Sequence, residues 1–120
     1  MSYDIRIVSE NGFPLHSEHK HDIIGAVYCI GGTTELWMSM TSNYAKHLTY
    51  AFDHKDGLKS LHGKSCKEAM PLIIAAISRL GNDVVNDYFD ATEGNVKLAL
   101  LDLLKLIILG YDAGYIDISW

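Results

Sequence analysis

The chain has 120 residues and two cysteines, which is room for one domain and too little cysteine for a disulfide scaffold. Apolar residues make up 48% of it and charged residues 21%, which argues for a packed core and against disorder. The net charge is −5 and only two arginines exist, Arg6 and Arg79, so general binding to nucleic acid is not expected.

Residues 3–8 alternate, with Tyr3, Ile5 and Ile7 on one side and Asp4 and Arg6 on the other, the period of a half-buried strand. Ser9-Glu10-Asn11-Gly12 reads as a turn, and Phe13-Pro14-Leu15 begins a partner segment that Pro14 limits to an edge. The polar run 16–22 reads as a loop. Residues 23–30 are apolar and β-rich, and Gly31-Gly32 breaks them. Residues 35–41 read as a strand, with Trp37 and Ser39 on one face and Met38 and Met40 on the other.

The second half reads as helical. Tyr44, Leu48, Ala51 and Phe52 share one helix face. Ser65 with Glu68 three residues on is a capping box, opening a helix that runs to Leu80 and stops at Gly81, with Pro71 kinking it or marking its first turn. Asn82-Asp83 caps a short helix to Phe89, and Thr92 caps a long one to Leu109. Residues 115–120 alternate as a final strand, with Ile116, Ile118 and Trp120 on one face. The expected fold is α+β, one domain over residues 1–120: a small antiparallel sheet from N-terminal strands and the C-terminal strand, packed on three to four helices.

The long helix is apolar almost all round. Leu98, Leu101, Ile108 and Leu109 fall in the same arc as Glu93, Lys97, Asp102 and Lys105. A homo-oligomer that covers those four side chains is expected.

Charge is uneven along the chain. Residues 1–42 carry −3 and residues 81–120 carry −5, whereas 43–68 carry +2 and also hold His47, His54 and His62. An acidic ligand should meet this middle segment. No basic leader with an apolar run opens the chain, and its most apolar stretch, 98–109, is too short for a bilayer. A soluble cytoplasmic protein without membrane association is expected. Cys29 and Cys66 fit no metal or redox spacing and read as buried thiols.

Gly63-Lys64-Ser65 approaches a phosphate loop, but five residues separate Gly57 from Gly63 where the motif has four, and no strand feeds it. A weaker role remains, with Lys64 and the helix start at Ser65 meeting an anion. His16, His19 and His21 lack the spacing of a helical metal site, so neither metal nor cofactor is expected. No nucleophile elbow, HExxH or dinucleotide fingerprint is present, and no histidine pairs in sequence with a nucleophile, so an enzyme is not the expectation. The densest functional pattern is residues 31–47. There Thr33, Thr34, Trp37, Thr41, Asn43 and Tyr44 set hydroxyls and an amide beside aromatics, which suits a planar polar ligand. The competing expectation is a strand-to-helix corner with Trp37 in the core and Ser42 or Asn43 as a cap.

Gly31-Gly32-Thr33-Thr34-Glu35-x-Trp37, Thr41-x-Asn43-Tyr44, Gly63-Lys64 and Ala91-Thr92-x-Gly94-Asn95 occur in that order over most of the chain. In this the sequence resembles a family of small phage and prophage proteins, although it has Glu93 where proline is frequent. The resemblance implies a phage context in a bacterial host. It motivates the expectation of a counter-defence protein that binds a nucleotide-like immune signal through Trp37, Thr41, Asn43, Tyr44 and Lys64. The alternatives are an inhibitor of a host defence protein such as a CRISPR effector, and a small nucleotide hydrolase using the central histidines.

Overall fold

The first strand becomes the centre of a sheet. In the computed structural model, which describes residues 2–23 and 32–120, β1 (Ser2–Val8) lies between β4 (Trp37–Thr41) and β5 (Tyr115–Ser119), antiparallel to both. Ile5 is level with Met38 on one side and Ile118 on the other. The alternation carries through all three strands. Tyr3, Ile5, Ile7, Met38, Met40, Ile116 and Ile118 are buried, and Trp37 and Ser39 sit half-buried on the opposite face. Val8 bridges to Pro14, so the chain after the Asn11-Gly12 turn does fold back on β1.

Against the buried face pack α1 (Ala45–Phe52), α2 (Cys66–Ser78) and α3 (Glu93–Leu109), with single-turn helices at Ser42–Tyr44 and Gly57–Leu61. The fold is α+β. Ser65 caps α2 with the full reciprocal box, its Oγ accepting from Glu68 N at 3.1 Å while Ser65 N donates to Glu68 Oε1 at 3.3 Å. The Ser65 N bond to Glu68 Oε1, a second bond that Ser65 Oγ donates to the same oxygen at 3.0 Å, and Lys64 hold the Glu68 carboxyl below its usual range. Pro71 lies inside α2, past its first turn, on the exposed side. No described helix is long and apolar enough to cross a membrane.

Three readings change. Residues 16–21 are a strand, β2 (His16–His21), paired with β3 (Thr33–Glu35) in a separate two-stranded sheet. The polar composition is compatible because β2 buries nothing fully and its side chains add pairing. The His16 ring meets Thr34 Oγ1 at 3.1 Å, and His21 Nε2 donates to Glu35 O at 2.6 Å. Residues 82–89 are not a helix. Asn, Asp and Val are weak helix formers, and here Asp87 accepts from the nearby Phe89 N while Asp83 accepts from Gly94 N at the start of α3. Trp120 leaves the core face and is 60% exposed, edge-on to His62 with the Lys59 ammonium 4.8 Å above its ring. The expected strand at 23–30, together with Cys29 and Gly31, lies almost wholly outside the described residues.

Candidate functional site

The corner after β4 is held by Thr41, not by Ser42 or Asn43. Thr41 is buried, and its Oγ1 accepts from Asn43 N at 3.3 Å. Tyr44 is fully buried and donates its hydroxyl to Tyr88 O. Asn43 Nδ2 donates to Phe89 O at 3.2 Å, Thr41 N donates to the Tyr88 hydroxyl at 3.2 Å, and His47 Nε2 donates to Ala91 O at 2.8 Å. Three of the residues expected to read a planar ligand, Thr41, Asn43 and Tyr44, therefore read the chain's own segment 88–91, with His47 beside them. Burial pushes the Tyr44 phenol up to about 12, with Tyr88 and Asp87 adding to it.

That segment is held from its other side by α3. Asn95 is buried on the helix, where its Oδ1 accepts from Val85 N at 3.0 Å and its Nδ2 donates to Asp87 O at 2.9 Å and Asp90 O at 3.1 Å. Gly94 lets the segment pass, since a Cβ there would lie 2.5 Å from Val84 N. Lys97 Nζ donates to Asn82 Oδ1 at 2.9 Å, and Glu93 accepts from Gly81 N at 3.2 Å. Residues 81–91 thus form a strap with almost no regular backbone bonding of its own, tied down by side chains. Beneath it is a cleft of about 170 Å³ lined by Met38, Tyr44, Val85, Tyr88, Leu98 and Asp102 among others. Burial pushes the Asp102 carboxyl up, and the Lys105 ammonium 3.5 Å away pulls it partly back.

Lys64 lines a different and larger cleft, about 370 Å³, between the end of α1 and the exposed side of α2. Phe52, His54, Ser60, Leu72 and Arg79 share it. α1 ends here because Asp53 turns left-handed at φ 50°, and Arg79 Nη1 donates to Ala51 O at 2.7 Å, closing the helix and holding the guanidinium at the rim. His54 Nδ1 accepts from Asp56 N at 3.0 Å, so its proton sits on Nε2 and the 3.9 Å approach to Asp56 is not an ion pair. The cleft offers two fixed-charge cations, a neutral imidazole donor, a hydroxyl and an aromatic wall, opposed by Asp53.

The remaining expected residues lie elsewhere. Thr33 and Thr34 belong to the β2–β3 pair, Thr33 Oγ1 accepting from Glu35 N at 3.1 Å. Trp37 stands on the half-buried face of β4. Ser65 lines another cleft, about 440 Å³, with Lys67, Tyr111 and Tyr115, and its backbone amide is already met by Glu68. His62 Nδ1 accepts from Ile118 N at 3.0 Å, which again excludes an ion pair, here with Asp117. Cys66 is a buried thiol that burial pushes up to about 11. Among the described residues no group of three metal-ligating side chains gathers.

Asn95, Phe52 and Arg79 were not among the site residues expected from the sequence, although each stands out there for another reason. Asn95 had a signal, as a polar residue between Gly94 and Val96 on a helix whose inward positions are otherwise apolar. Arg79 had one as well, as one of only two arginines and the one nearest the basic stretch. No family model, curated protein or solved structure matches this chain.

Proposed function

We propose that the protein is a non-enzymatic binder of a small nucleotide-like anion, seated in the cleft of Phe52, His54, Lys64 and Arg79. The observation that carries this is the convergence of Lys64 and Arg79 beside an aromatic wall, within residues 43–80, the part of the chain with net positive charge. Arg79 is anchored by Ala51 O and so pays little entropy to meet a phosphate. Lys64 supplies a second charge on a flexible stem, and Phe52 supplies a face for a base. The resemblance to phage proteins supports the setting, a phage protein that withdraws a nucleotide immune signal inside its bacterial host.

Isothermal titration with ADP and with a cyclic dinucleotide tests the reading. Binding at micromolar concentration is expected, weakened at least tenfold by Lys64→Glu and at least tenfold by Arg79→Gln. Each loss corresponds to about 1.4 kcal/mol or more, a reasonable value for one charge-assisted contact. Binding that both variants leave intact, or no heat with any nucleotide at millimolar concentration, refutes the proposal.

A further inference from the structure

The outward face of α3 is unpartnered and self-complementary. Leu98, Leu101, Ile108 and Leu109 are 48%, 36%, 56% and 45% exposed. At about 100° per residue, Leu98, Asp102, Lys105 and Leu109 fall within about 60° of arc, and Leu101 and Ile108 flank them on one side. Lys105, its side chain 68% exposed, and Asp102, 14% exposed at the border between this stripe and the strap's cleft, are its charges, one of each sign, 3.5 Å apart on the same chain. Opposite signs near the middle of an apolar stripe are what a helix needs to receive a copy of itself running the other way.

We infer that two copies of this chain pair through α3, antiparallel, about a two-fold axis near residue 104. Three pairings then fall into one register. Leu98 meets Leu109 of the second copy, Leu101 meets its Ile108, and Asp102 meets its Lys105. Each pair is nearly equidistant from the axis, so the three are satisfied together and twice over. The two-fold keeps each flank of one helix against the same flank of the other, which puts Leu101 opposite Ile108 rather than opposite the charges. A parallel pair would stack Asp102 on Asp102 and Lys105 on Lys105, so charge selects against it. Val84 and Val85, exposed on the strap beside Leu98, extend the apolar surface at each end of the pair.

Sedimentation equilibrium of the wild-type chain at micromolar concentration should give twice the 13.4 kDa mass of one chain. Asp102→Lys alone should weaken the dimer at least tenfold by placing like charges across the axis. Asp102→Lys combined with Lys105→Asp should restore it, because the pairing is only exchanged. Circular dichroism of the single variant must show a wild-type helical spectrum and a cooperative melt, because the exchange also re-forms the pair within one chain; a single variant that is unfolded while the double exchange stays monomeric overturns the inference. Register is read by oxidation in a Cys29→Ser background. A mixture of Leu98→Cys and Leu109→Cys chains should cross-link. Leu98→Cys chains alone should not, since each lies about 18 Å along the axis from its own mate at 1.5 Å per residue. A wild-type monomer at 100 μM, a double exchange that stays monomeric, or self-cross-linking of Leu98→Cys overturns the inference.

Discussion

Replacing Asn95 with Ala tests whether the strap is held by side chains. The substitution keeps the helix, since Ala is the best helix former and the Thr92 cap bonds the backbone N of residue 95 and not its side chain. It removes three hydrogen bonds, one from Val85 N and two to the carbonyls of Asp87 and Asp90. At about 1 kcal/mol net each, the loss is about 3 kcal/mol. Residues 84–90 are exposed, so water reaches the freed groups once the strap lifts, and the full penalty of buried unsatisfied groups is not incurred. The expected cost is therefore about 2–3 kcal/mol, a large part of the roughly 5–15 kcal/mol that holds a domain of this size. Urea unfolding followed by circular dichroism measures it, and hydrogen exchange locates it. The Val85 amide should lose its protection, while the β1 amides keep theirs relative to global unfolding. Asn95→Asp should be worse at neutral pH, where a carboxylate faces two carbonyl oxygens, and should recover as acidification protonates it. A stability within 0.5 kcal/mol of wild type, with Val85 still protected, would refute the account of the strap.

Two titrations follow from the same geometry. The Glu68 carboxyl is held below its ordinary range by Ser65, so its contribution to stability is present above the unfolded-state pKa and is lost as pH falls through the folded one. Ser65→Ala should lower stability by about 1 kcal/mol at pH 7 and flatten the acid limb below about pH 4.5, as read from melting temperature against pH. The Tyr44 phenol titrates at about 12, so its contribution is complete below the ordinary tyrosine range near 10 and is lost as pH rises towards 12. Spectrophotometric titration of wild type against Tyr44→Phe should assign the missing absorbance step to that high range. A difference step near pH 10 would contradict its burial.

The sheet strands and α3 were legible because their signals are local and redundant. Tyr3, Ile5 and Ile7 alternate, Thr92 caps, and Gly110 stops, all within a few residues of the element they define. The strap was not legible. Asn82-Asp83 resembles a helix cap, but the partners that decide its path, Asn43, Tyr44 and His47, lie about 40 residues earlier in the chain. The same distance hid the role of the Thr41–Tyr44 cluster. Hydroxyls and amides beside aromatics are equally suited to a ligand and to a neighbouring stretch of backbone, and composition cannot tell the two apart. Lys64 was found from the local Gly63-Lys64-Ser65 pattern at a helix start, whereas Phe52 and Arg79 join it only through the approach of α1 to α2. β2 was missed for a third reason, because a strand that buries almost nothing carries no hydrophobic period.

The central place of β1 has a consequence for how the protein is made. Ile5 and its partner Ile118 are about 110 residues apart, at opposite extremes of the chain. On a ribosome adding roughly 5–20 residues per second, β1 is exposed for about 5–20 s before β5 is even synthesised. During that time it can pair with β4 on one side only, and its other edge presents unpaired amides and carbonyls together with a ladder of isoleucines to any strand it meets. Crowded polysomes and slow codons late in the message thus become hazards for this topology in a way they would not be for a sheet assembled from neighbouring hairpins. A circular permutant that joins the adjacent ends of β1 and β5 would remove the delay while leaving every contact of the finished sheet in place.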